Sequence, residues 1–139
     1  MNIHVRILFF LIFFSPFIKS SEYEITILAT NIANFGGVGE WSFSALLESE
    51  NNSILFDTGY DENTVLHNAK LLSKDLSKVE KVILSHFHGD HTGGLIKLRK
   101  TYMAENPDAF SKVYVAKGFF EQRYDVDGNL RGFIGGFND

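Results

Sequence analysis

The 139-residue sequence contains no cysteine. That removes disulfides as a stabiliser and thiolates as metal ligands, so any metal must be held by imidazole and carboxylate. A basic run is also missing: 13 Lys and Arg stand against 17 Asp and Glu, for a net charge of −4. Such a chain is a poor match for a phosphate backbone, and no nucleic-acid partner is expected. There is no internal repeat, which excludes repeat architectures. Nor is there a membrane-spanning run: the apolar stretch at residues 7–18 is 12 residues long, against the roughly 20 a spanning helix needs. With 45% hydrophobic and 22% charged residues, the composition is that of a globular protein of one-domain length.

The N-terminus reads as a removable segment. Residues 1–6 carry Arg6 and His4, residues 7–14 are an unbroken apolar run, and Ser15 and Pro16 interrupt it. Ile18-Lys19-Ser20-Ser21 then offers a small-residue cleavage site. This is the layout of a secretory signal peptide over residues 1–20, with an uncleaved anchor or a buried first strand as the alternatives. Cleavage would remove Arg6 and Lys19 but no acid, leaving 11 basic residues against 17 acidic and a net charge of −6. The expected destination is export, periplasmic or secreted, with no stable membrane span after cleavage.

Residues 21–117 alternate between strand and helix signals. Residues 23–30 begin with period-two alternation and predict a first strand. Residues 31–40 are a loop marked by Gly36, Gly37 and Gly39. Residues 41–47 predict a second strand with Trp41, Phe43 and Ala45 on one face, and Asn51-Asn52 signals a hairpin turn. Residues 53–56 form a short third strand that ends at Asp57-Thr58-Gly59. Val65, Leu66, Ala69 and Leu72 then fall at helical spacing, with Asp61 or Asn63 as N-cap. Val82-Ile83-Leu84 predicts a buried strand, Leu95, Ile96 and Leu98 a second helix, and residues 113–116 a last strand. Residues 118–139, rich in Gly and Phe, show no clean period and are expected to be irregular.

The chemistry is concentrated in His86-Phe87-His88-Gly89-Asp90-His91. Four of these six residues are metal-ligand types. His86 and His88 are two apart, so in an extended loop their imidazoles leave on the same side. Gly89 allows a sharp turn before Asp90 and His91. One loop can thus give two imidazoles to one metal and a carboxylate plus an imidazole to a neighbour, at the ~2.0–2.2 Å typical of zinc and the ~3.5–4 Å spacing of paired ions. Thr92-Gly93-Gly94 is expected to open a helix and leave free N–H groups near the site. The bland reading is a polar surface loop or a His cluster capping a helix. Against it stands the context: an apolar strand precedes the motif and a helical pattern follows, both legible without it.

His-x-His-x-Asp-His after an apolar strand resembles the signature of the metallo-β-lactamase superfamily, and Phe56-Asp57-Thr58-Gly59 resembles its upstream Asp motif. The wider text is similar to the subgroup named for dihydropterin-ribofuranosyl-aminobenzene phosphate synthase. This likeness runs through residues 41–48, 54–59, 66–69, 75–78 and Ser85-His86 to Gly93-Gly94-Leu95, and covers roughly residues 23–116. The resemblance implies an α/β fold, the N-terminal half of an αββα sandwich, with a mixed sheet and helices on one face. It also implies a metal-dependent hydrolase in which a metal-bound hydroxide attacks an ester, lactam or phosphoester of small-molecule size. His86 and His88 would bind a first ion, Asp90 and His91 a second. Asp90 would orient the attacking water or accept its proton. Asp57 would brace the loop from behind, with a simple turn cap as its alternative. Zinc, one ion or two, is the expected cofactor, with manganese or iron as alternatives, and redox chemistry at a di-iron centre stays open.

The sequence departs from the family pattern downstream. A full site needs a further His for the first metal, a bridging carboxylate and a last His for the second, yet no His follows His91. His67 lies on the first predicted helix, where a surface or packing role is expected. Asp108, Glu121, Asp125, Asp127 and Asp139 lack a ligand context and read as loop charges, and Lys117 stands near where relatives often have His. The leading expectation is still a metal-dependent hydrolase; the alternative is a truncated, non-catalytic remnant or a weak metal-binding module that needs a second chain. Half a sandwich would leave apolar surface uncovered and favour a homo-oligomer.

Overall fold

The computed structural model describes residues 22–130. The expected signal peptide at 1–20 and the end of the Gly/Phe-rich stretch lie outside the described residues. In chain order the elements are β1 (Glu24–Ala29), β2 (Ser44–Ser49), β3 (Asn52–Phe56), α1 (Thr64–Leu71), β4 (Lys81–Leu84), α2 (Gly89–Thr92), α3 (Leu95–Tyr102) and β5 (Lys112–Val115). The sheet runs β1-β2-β3-β4-β5. β1, β2 and β3 pair antiparallel, and β3, β4 and β5 pair parallel. The expected mixed sheet with helices is therefore present.

Register explains where the core sits. Leu46 pairs with Leu55, and Leu55 with Val82, so these three side chains share one face. All three are fully buried, in one cluster with Val65 and Ala69 of α1 and Leu95 and Leu98 of α3. Burying a leucine of this kind contributes about 1.5–3 kcal/mol. Both eight-residue helices contribute to this cluster, α1 joining β3 to β4 and α3 lying between β4 and β5. On the opposite face Ile25 and Ile27 are 65% and 45% exposed, and Tyr114 is 53% exposed. Among the described residues no helix is long and apolar enough to cross a membrane.

Several local expectations shift. The second strand starts at Ser44 rather than Trp41. Phe43 is drawn away from the ladder, because its N–H donates to Asp90 O and its carbonyl accepts from Gly59 N–H. Trp41 is left outside the sheet and 79% exposed. Ser49 pairs with Asn52, so the hairpin turn is Glu50-Asn51, one residue earlier than expected. Asn63 is the N-cap of α1 but makes no side-chain cap bond; Asp61 accepts from its N–H instead. Leu72 lies past the end of α1 and is exposed. In the aperiodic stretch Phe119 is buried and joins the core.

Candidate metal centre

β4 is a parallel strand flanked by β3 and β5, and the chain leaves its C-terminal end directly into Ser85-His86. The loop therefore starts from a backbone fixed on both sides. Asp57, at the equivalent end of β3, anchors it. The Asp57 side chain is 1% exposed. Its Oδ1 accepts the Ser85 N–H at 2.7 Å, and its Oδ2 accepts the Ser85 hydroxyl at 2.7 Å and His91 Nδ1–H at 2.7 Å. Asp57 adopts φ 53, and its carbonyl accepts the Ser44 hydroxyl at 2.8 Å.

These bonds assign the imidazole protons. A carboxylate only accepts, so His91 must carry its proton on Nδ1. The Ser85 hydroxyl has one proton, given to Asp57, so at 2.9 Å it can only accept from His86 Nδ1. In their neutral form both histidines then leave Nε2 as the free nitrogen. Burial first, then the neighbouring imidazoles of His91 and His88, hold His86 below the ordinary value of 6.5, against the opposite pull of Asp57 and Asp90. A neutral imidazole with a free Nε2 is the form that binds metal.

Ligand atoms of His86, Asp90 and His91 lie within 4.8 Å of one another. Asp90 Oδ2 is 3.5 Å from His91 Nε2. The His86 ring centroid is 4.2 Å from that of His91 and 4.7 Å from that of His88. The structure thus draws His86 toward the Asp90–His91 pair, while His88 is exposed beside it. Three N and O donors, two with their tautomers set from behind, suit one zinc-like ion with a position left for water.

Two expectations about glycine need correction. Gly89 is not at positive φ; it begins the short helix α2, with His88 as its N-cap. Gly93 leaves no free N–H, since it donates to Gly59 O and Gly89 O. Gly93 and Gly94 instead allow close approach: a Cβ would stand 2.0 Å from Tyr60 O at the first and 2.3 Å from Thr58 O at the second. Thr58 completes the contact, its N–H and hydroxyl both donating to His91 O.

His67 bonds Gly36 O from the surface of α1, away from the loop. Asp125 accepts the N–H groups of Asp127 and Asn129 within its own turn. Arg123 lies over the Phe87 ring at 3.7 Å and donates to the carbonyls of Gly118 and Glu121, pinning the 118–121 turn against the 86–91 loop. A groove of about 200 Å³ lined by Ile27, Ile32, Val38, Leu71 and Leu72 shares no residue with the site. Sequence reasoning did not single out Ser85, Ser44 or Glu40. Ser85 alone carried a signal, as the residue joining the strand to the motif.

A mixed α/β sheet presenting a His- and Asp-bearing loop at the end of a parallel strand, braced by a buried carboxylate, defines a class of metal-dependent hydrolases. Residues 41–106 match the model of the metallo-beta-lactamase superfamily, and over this segment the chain is similar to it. The chain is 36% identical over 95 residues to the 7,8-dihydropterin-6-methyl-4-(beta-D-ribofuranosyl)-aminobenzene-5'-phosphate synthase of Methanocaldococcus jannaschii, covering 64% of this chain and 32% of that one. It is 33% identical over 85 residues to the ribonuclease Z of Thermococcus gammatolerans, covering 52% of this chain and 26% of the relative. A solved metal-dependent hydrolase of the beta-lactamase superfamily is 35% identical, with a TM-score of 0.47, over 55% of this chain and 27% of that one. The chain spans about a third of the length of the first curated relatives, 32% and 37%.

Proposed function

We propose that the protein is a hydrolase that holds a divalent ion, zinc first among candidates, through His86, Asp90 and His91. The observation that carries this is the convergence of their ligand atoms within 4.8 Å, with both imidazoles presenting Nε2. Such an ion would lower the pKa of bound water to about 7 and polarise the bond under attack. The chain's own part is orientation and proton handling. Asp57 and Ser85 hold the imidazoles, and Asp90, 25% exposed in its side chain, is placed to accept the proton of an attacking water. His88 beside His86 is available to a second ion. An ester, lactam or phosphoester of small size is the proposed substrate class, since a net charge of −4 disfavours a polyanion.

The test is metal analysis of purified protein, with turnover of p-nitrophenyl acetate, nitrocefin and bis(p-nitrophenyl) phosphate. Retained zinc, manganese or iron, a higher melting temperature on adding metal, and turnover of one substrate are expected. No bound metal together with an unchanged melting temperature would overturn the reading. We also propose export directed by residues 1–20, which N-terminal sequencing of the mature protein would check.

A second reading is favoured by the exposed Ile25, Ile27 and Tyr114 on the far face of the sheet. In it the chain is a metal-binding module that associates with a second copy through that face. Sedimentation decides it: a monomer whose turnover is abolished by His86→Ala excludes the module, and a dimer lost on Ile27→Lys supports it.

A further inference from the structure

Glu40 lies in the loop between β1 and β2 and belongs to no ligand set. Its Oε1 accepts the Ser42 hydroxyl at 2.6 Å and the Tyr60 N–H at 2.7 Å. Its Oε2 accepts the Asp61 N–H at 3.0 Å and the Thr64 hydroxyl at 2.9 Å. One carboxylate thus collects four donors, two of them consecutive backbone amides of the turn that follows Asp57. Gly59, at φ 76, permits the approach, because a Cβ there would stand 2.8 Å from Glu40 Oε1.

The other side of the same turn is the floor of the metal loop. Thr58 donates its N–H to His91 O at 2.8 Å, and Gly59 O accepts the Gly93 N–H at 2.9 Å. Tyr60 O faces Gly93 so closely that no side chain fits between them. Asp57, which orients the His91 ring, begins the turn. The segment 57–61 is therefore held between Glu40 on one side and His91 with Gly93 on the other.

We infer that Glu40 is a positioning residue for the metal centre: its carboxylate fixes the 57–61 turn, and through it the place of His91. This rests on the reading that His86, Asp90 and His91 hold the ion. Without the carboxylate, the Tyr60 and Asp61 amides lose a charged acceptor and the turn must reorient to find others. Ligands need to be held within about 0.5 Å of productive geometry, so a turn free to shift loosens His91 without touching it. Gln at this position is not equivalent. One of its two head atoms is a donor, and it would face a donor of the turn.

The experiment compares wild type, Glu40→Gln, Thr64→Val and Val79→Ala, the last a core truncation remote from the site. Zinc affinity by chelator competition and the ¹⁵N NMR signal of the His91 Nδ1–H in metal-free protein are read for each. Glu40→Gln is expected to bind zinc about 10- to 100-fold more weakly, the range for groups that orient ligands, and to lose or broaden the His91 signal. Thr64→Val should show a smaller loss in the same direction, which judges the inference if Glu40→Gln does not fold. Val79→Ala should keep both readouts at a comparable loss of melting temperature. Glu40→Gln and Thr64→Val matching wild type in affinity and signal, or Val79→Ala losing both equally, overturns the role. Wild type that binds no zinc sinks the metal reading instead, and the His91 signal still judges Glu40.

Discussion

Asp57 Oδ2 accepts the His91 Nδ1–H at 2.7 Å from a side chain that is 1% exposed. The same carboxylate takes the N–H and hydroxyl of Ser85, so one buried group sets the orientation of both His86 and His91.

Asp57→Asn keeps the size and removes the acceptor pattern. The amide can serve the Ser85 N–H through its oxygen, but then presents NH₂ to the His91 ring and favours the opposite tautomer. A metal affinity lower by about 10- to 100-fold is expected, with a stability loss of about 1–3 kcal/mol from poorly partnered buried polar atoms. Chelator competition and urea denaturation measure the two effects separately. An unchanged affinity would show that His91 does not depend on Asp57.

Gly89 and Gly93 sit four residues apart in the loop and should respond oppositely to alanine. At Gly89 a Cβ would meet only the Tyr60 ring, at 3.8 Å, an ordinary contact. At Gly93 it would meet backbone, Tyr60 O at 2.0 Å, which cannot rotate away. Gly93→Ala is expected to cost about 1–3 kcal/mol, as overpacking does, and Gly89→Ala to stay within about 0.5 kcal/mol of wild type. Shifts in the urea midpoint of the metal-free proteins test this; equal shifts would contradict the close approach.

The candidate ligand loop stood out because four ligand-type residues crowd into six positions after Val82-Ile83-Leu84, whose apolar text reads as a buried strand. The strands were legible as short apolar or alternating runs bounded by turn signals, whereas the alignment of Leu46, Leu55 and Val82 on one buried face comes from the pairing register. Glu40 was not legible. A carboxylate in a Gly-rich loop reads as a solvated charge until donors from residues 42, 60, 61 and 64 converge on it, and that convergence is tertiary. Trp41 misled for a related reason: its alternation with Phe43 continues the strand, but bonds from Gly59 and to Asp90 pull Phe43 out of the ladder. Phe119 sits among scattered Gly and Phe, where no period says which aromatic turns inward.

His86 and His88 are alike in the motif but not in the structure. His86 is within ligand distance of Asp90 and His91, and its Nδ1 proton is engaged by Ser85. His88 lies outside that set and is exposed. If one ion occupies the site first, His86→Ala should abolish tight zinc binding while His88→Ala leaves a stoichiometry of one. Calorimetric titration reads both. Equal loss in the two variants would favour an arrangement in which His86 and His88 share an ion from the start.

The acid limb of stability isolates Glu40. Partial burial pushes its carboxyl up, but hydrogen bonds from Ser42, Tyr60, Asp61 and Thr64 outweigh that and hold it below its ordinary value of 4.5. A carboxylate depressed in the folded state contributes stability that is complete above the unfolded value and is lost as pH falls through the folded one. Wild type should therefore exceed Glu40→Gln in melting temperature at neutral pH, and the gap should close progressively below about pH 4.5. Melting curves of the metal-free proteins, taken from pH 7 to pH 3, give the difference directly. A gap that stays constant across that range would mean the loss in Glu40→Gln comes from packing, and that the charge on the carboxylate does not hold the turn.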